Sequence, residues 1–175
     1  MEHVGSYEQL KTFLLALALT QVRIMAMFVA IPIFNRAILP GMLRMAIGAA
    51  FGIVVAPALM PQVAQMNWDG AQVVMLLVKE GFVGFVLGCL VAVPFWAFEG
   101  IGFLIDNQRG ASIAATLNPL TGNDSSPMGI LFNQAFIVFF FISGGFLLML
   151  ELLFNSFALW NVFTWVPHFK PESMP

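Results

Sequence analysis

The sequence predicts an all-α, polytopic membrane protein made of hydrophobic helical hairpins, with a polar Gly- and Pro-containing loop between its third and fourth apolar segments. Three observations carry this. Of 175 residues, 60% are hydrophobic and only 9% are charged, whereas a water-soluble domain carries about 25% charged residues. Mean hydropathy is +0.91. Four segments approach the ~20 apolar residues that a helix needs to cross a bilayer. A backbone in lipid must satisfy its own hydrogen bonds, so these segments are expected as helices.

The first segment runs from about Leu10 to Phe34 and carries Arg23 inside it. It is long and follows no basic region, so it reads as a retained helix rather than a cleaved signal. Asn35 to Pro40 joins it to the second, about Gly41 to Met60, with Arg44 near its start. Pro61 to Gly70 leads to the third, about Ala71 to Phe98, which is uncharged from Gly81 onward. The fourth, about Met128 to Leu150, has no charge. Ser126 suits its cap and Pro127 its first helical position. Beyond Glu151, apolar and polar residues alternate to Trp165, and Pro167 and Pro171 break the pattern. Trp160 and Trp165 suit an interfacial level. Arg36 and Arg44 make the first connection the most basic, which assigns it to the cytoplasm and the N-terminus, with Glu2 and Glu8, to the opposite side.

The polar stretch lies between the third and fourth segments. Glu99 and Asp106 are seven apart on one helical face, and Arg109, three beyond Asp106, permits an ion pair. Gly100, Gly102 and Gly110 thin the backbone here. Asn118-Pro119, Thr121-Gly122-Asn123-Asp124 and Ser125-Ser126-Pro127 are loop signals. One reading is an ordinary connection. The other is a functional loop, because long loops in compact domains are often functional.

Arg23, Lys79 and Glu80 sit within apolar segments. A charge at mid-bilayer costs at least about 2.5–3.5 kcal/mol, so it needs a partner or water. Arg23 is expected to have a buried partner, and one reading pairs it with Glu80. In another, Lys79 and Glu80 face an aqueous path. In a third, the helix begins near Gly81 and both charges are interfacial, with Lys79 snorkelling. Gly48 with Gly52, and Gly84 with Gly88, are small residues four apart, which lets helix backbones approach closely. With 15 glycines in the chain, chance also produces such pairs. The 11 methionines read as packing residues.

Other chemistry is poorly represented. Net charge is −2 and the seven Lys and Arg are scattered, which gives no nucleic-acid footprint. Cys89 is the only cysteine, so no intrachain disulfide is possible. His3 and His168 lack neighbouring ligands, and neither a metal nor a cofactor is expected. No His lies near Ser112, Ser125 or Ser126, and no phosphate-binding loop is present, so the chain is expected not to be an enzyme.

Phe95-Trp96-Ala97-Phe98-Glu99-Gly100-Ile101-Gly102, Ile105-Asp106-Asn107-Gln108-Arg109-Gly110-Ala111, Leu117-Asn118-Pro119-Leu120-Thr121-Gly122 and Ser125-Ser126-Pro127-Met128-Gly129 resemble the signature of the SctT family. These are the YscT/HrcT/SpaR-type export-apparatus proteins of type III secretion systems, related to flagellar FliR. The Ile-Asp-Asn-Gln-Arg-Gly run is closer to the injectisome branch. Gly144-Gly145 and Asn155 to Trp160 fit the family's next helix and its end. The resemblance covers about Leu10 to Pro171. It implies a non-enzymatic subunit of the bacterial inner-membrane export gate, assembled with SctR and SctS and contacting SctU and SctV. Unfolded secreted proteins would be the substrate. It also implies that Asp106, Asn107, Gln108, Arg109, Gly110, Asn118, Pro119, Thr121, Gly122 and Asn123 belong to a loop that plugs the channel. Family members continue through further apolar helices and a polar tail, so residues 1–175 are expected as one membrane domain without those parts. The alternative is a small-solute or ion transporter using Arg23, Lys79, Glu80 and Glu99 as intramembrane charges.

Overall fold

The computed structural model describes residues 2–34, 39–65, 69–110 and 126–164. Helix α1 spans Glu2–Ala30 and is followed by a 3-10 turn, Pro32–Phe34. Helices α2, α3, α4 and α5 span Gly41–Gln65, Gly70–Gln108, Pro127–Ile142 and Gly145–Leu159. No strand occurs among the described residues, and the protein is all-α. Tyr7–Ala30, Gly41–Gln65 and Gly70–Gln108 are each long and apolar enough to cross a membrane. The pair α4 and α5, bent by 73°, gives a fourth candidate span.

The helices outrun the boundaries expected from composition. Helix α2 continues past Met60 to Gln65, through Pro57 and Pro61. Each proline removes a backbone donor. The two are four apart on an exposed face, while Val55, Ala56, Leu59 and Val63 bury the opposite face and hold the helix. Helix α3 begins at Gly70, beside the expected start near Ala71 and not near Gly81, and passes Phe98 without a break. Its 39 residues extend about 58 Å, roughly twice the ~30 Å hydrocarbon core.

The fourth apolar segment is two helices rather than one. The amide of Ser143 donates to the Phe139 carbonyl (2.8 Å) and that of Gly144 to the Phe141 carbonyl (3.2 Å). Gly144 then turns to φ +80°, a conformation that glycine alone adopts cheaply. The amide of Leu148 takes the Gly144 carbonyl and α5 starts in a new direction.

The contacts gather into two compact units, Met1–Cys89 with Leu150–Pro175, and Leu90–Met149. In the first unit, Ala16, Leu19, Ile24, Met27 and Phe28 form the buried face of α1. Phe28 stacks on Phe34 (3.9 Å between centroids), and Phe51 meets Phe28 and Phe154 edge-on. Both glycine pairs in this unit lie against α1. A Cβ at Gly84 would strike the Arg23 backbone carbonyl, and one at Gly88 would fall 3.0 Å from Met27 Cα. A Cβ at Gly52 would fall 2.9 Å from Leu17 Cδ1, and one at Gly48 would meet Met25 Cε. Gln21 Nε2 donates to the Gly48 carbonyl (2.9 Å) and ties α1 to α2. In the second unit, Phe95 packs edge-on against Phe136 (4.7 Å) and Phe140 (5.2 Å). Phe98 stacks on Phe136 (4.5 Å).

Candidate functional site

The polar residues fall into two clusters. The first contains three of the charges within the apolar helices. Arg23 of α1 and Glu80 of α3 are both fully buried, at 0% exposure. Arg23 Nε donates to Glu80 Oε2 (2.7 Å) and Nη2 to Glu80 Oε1 (2.9 Å), a two-pronged pair. Two further guanidinium donors are used: Nη1 reaches Ser156 Oγ (3.2 Å) and Nη2 the Trp160 carbonyl (2.9 Å). The Phe157 ring centre lies 4.2 Å from the guanidinium carbon. Such pairing is what a buried charge requires, since an unpaired ion in a low-dielectric interior is very costly.

Lys79 extends the same network. Its Nζ lies 3.0 Å from Glu80 Oε1. It also donates to the carbonyls of Asn161 (3.1 Å), Val162 and Thr164 (3.1 Å). Those carbonyls belong to the turn that follows α5, where cationic side chains commonly satisfy orphaned acceptors. Trp160 Nε1 donates to the Thr164 carbonyl (3.0 Å) and closes the turn. Helix α3 does not begin near Gly81: Lys79 and Glu80 both lie well inside it, and Glu80 has no exposed surface. Sequence reading missed Ser156, Trp160, Asn161, Val162 and Thr164. Four of these five contribute backbone carbonyls, which every residue has, so no residue type marks them.

The second cluster joins the end of α3 to the start of α4. Helix α3 ends at Gln108, with Asn107, Gln108 and Arg109 exposed. The Gly110 amide donates to the Asn107 carbonyl (3.1 Å), and Gly110 turns to φ +70°. The chain is described again from Ser126, the N-cap of α4, whose Oγ accepts the Gly129 amide (2.9 Å). Asp106 Oδ2 accepts from Ser126 Oγ (2.7 Å) and from the Met128 amide (2.9 Å). Asp106 therefore caps α4 from another helix, with its negative charge at the positive end of the dipole. The ion pair with Arg109 that the spacing permits is absent among the described residues. The two backbones also touch, since a Cβ at Gly102 would fall 2.5 Å from the Gly129 nitrogen.

The two helix ends that flank residues 111–125 are thereby fastened to each other. Asn118, Pro119, Thr121, Gly122 and Asn123 lie outside the described residues. Glu99 is exposed on α3 and accepts from Asn133 Nδ2 of α4 (3.2 Å). Among the described residues no group of three or more His, Cys, Asp or Glu is arranged to hold a metal.

Residues 14–173 match the family described as "Bacterial export proteins, family 1". The chain is 38% identical over 155 residues to "Yop proteins translocation protein T" of Yersinia pestis, covering 88% of this chain and 59% of that relative. It is 30% identical over 153 residues to "Surface presentation of antigens protein SpaR" of Salmonella typhimurium, covering 87% of this chain and 57% of that relative. It is 30% identical over 158 residues to "Flagellar biosynthetic protein FliR" of Bacillus subtilis, covering 90% of this chain and 60% of that relative. The chain thus spans about three fifths of the length of the curated relatives it matches. With the match running through all five helices and both polar clusters, the chain belongs to the bacterial export proteins, family 1.

Proposed function

We propose that this chain is a non-enzymatic subunit of the inner-membrane export gate of a bacterial type III secretion system. It contributes to the wall of a channel for unfolded secreted proteins, in assembly with SctR and SctS and in contact with SctU and SctV. The loop that follows Asp106, including Asn118, Pro119, Thr121, Gly122 and Asn123, acts as the plug of that channel.

The observation that carries this reading is the fastened loop base. Asp106 holds Ser126 and Met128, so the two helix ends that flank the polar residues 111–125 are joined at one fixed point. Fixing both ends lowers the entropy lost when the intervening residues order in one place. The relatives named for protein translocation and for flagellar biosynthesis support the export class. The solute-transporter alternative is weakened by the first cluster. Arg23, Lys79 and Glu80 are occupied by one another and by backbone carbonyls, which leaves little capacity for a passing solute.

Co-expression with SctR and SctS subunits tests the proposal. The chain is expected to co-purify with both in detergent as a complex of defined size. Recovery of the chain alone, while SctR and SctS still associate with each other, would count against it.

A further inference from the structure

Glu99 is a carboxylate on an otherwise apolar stretch. It follows the uncharged run from Gly81 to Phe98, and it remains exposed. Its partner among the described residues is the amide nitrogen of Asn133, at 3.2 Å. No Lys or Arg among the described residues bridges it. Asn133 directs its nitrogen to Glu99 and leaves its own Oδ1 buried without a donor. An unsatisfied buried acceptor is rare in a native structure and calls for a reason, which the bond from Asn133 Nδ2 to Glu99 supplies here. Flipping the amide would put nitrogen in the buried place and set Oδ1 against the Glu99 carboxylate, oxygen against oxygen, so the orientation that donates to Glu99 is the one that steadies it.

The surroundings of Glu99 are apolar and aromatic. Trp96 and Phe103 lie three residues before and four after it, on the same helical face, and are 48% and 45% exposed. On α4, Ile130 lies three residues before Asn133 and is 50% exposed. The result is a carboxylate that shares an exposed helical face with two half-exposed aromatic residues. A cation fits both features, through the carboxylate and through the ring faces.

We propose that Glu99, steadied by Asn133 and rimmed by Trp96, Phe103 and Ile130, is the docking point for an apolar helix of another protein that presents a lysine or arginine. Charge complementarity selects this occupant over hydrocarbon, which would leave the carboxylate unpaired. The proposal goes beyond the export reading and does not depend on the loop.

The test places a photo-reactive amino acid at Trp96, and separately at Phe103, of the full chain in bacterial membranes that contain SctR and SctS. Adducts are mapped by mass spectrometry, with Glu99 intact, Glu99→Gln or Glu99→Lys. The expected adduct is to a helix that carries Lys or Arg within one turn of the crosslinked residue. Its yield should fall at least about tenfold with Glu99→Lys, a loss of about 1.4 kcal/mol, and less with Glu99→Gln. Changing that partner cation to Glu should restore the yield with Glu99→Lys. Adducts to lipid alone, adducts to a helix without a cation, or equal yields for the three side chains would overturn the proposal. Loss of co-purification with SctR and SctS would refute the export reading instead, because the adduct identifies its partner whichever protein that is.

Discussion

The buried charges of α1 and α3 and the loop base between α3 and α4 use polarity in opposite ways. Arg23 and Glu80 are withdrawn from every solvent, and most of their hydrogen-bonding groups are spent inside the chain. Asp106 also serves the fold, but it does so at a helix end where exposed Asn107, Gln108 and Arg109 follow. In an apolar chain, a charge by itself therefore does not identify a functional residue. Its remaining capacity does: the first cluster has little left, and the second leads directly into polar residues.

The comparison is broken most severely at the buried pair. Glu80→Ala should cost about 3–5 kcal/mol, because it leaves Arg23 buried and unmatched. Reversible unfolding of the purified chain in mixed detergent would measure it. The double replacement Arg23→Met with Glu80→Leu should cost less than either single change. A double mutant at the sum of the singles would mean that the charges act independently.

Next in size is the approach of α3 to α1. Gly84→Leu forces a side chain into the Arg23 backbone and should cost about 1–3 kcal/mol or more. Gly48→Ala should be milder, because the obstructing atom is the flexible end of Met25. The same unfolding measurement ranks them, and equal costs would show that the two glycine pairs are not distinguished by backbone contact.

The smallest effect is expected at the loop base. Asp106→Ala should cost about 0.5–2 kcal/mol, the usual range for a lost helix cap. Hydrogen exchange should speed up at Met128 and in the first turn of α4 while α1 is unaffected. Asp106→Asn keeps an acceptor and should fall between. Acceleration spread evenly over both regions would contradict a local cap.

Much of the fold was legible because hydrophobic length is a strong signal. The four apolar segments, the Ser126–Pro127 start and Arg23–Glu80 as a possible pair could all be read. Helix ends were less legible. Pro61 looked like a stop, yet the buried face of Leu59 and Val63 carries α2 onward. The uncharged run after Met128 hid a bend that depends on the positive φ of Gly144. Within the polar clusters, Asp106 was visible as a charge, but its role as the cap of another helix depends on tertiary contact across 20 residues. The carbonyls that hold Lys79 carry no residue-type signal at all.

The central proposal is that residues 111–123, which follow Asp106, seal a protein-conducting channel. The direct measurement is ion conductance of membranes containing the assembled complex, with residues 111–123 deleted and Asp106 and Ser126 retained. The account predicts a clear rise in leakage with subunit composition unchanged. Leakage equal to that of the intact complex, in a correctly assembled complex, would contradict it.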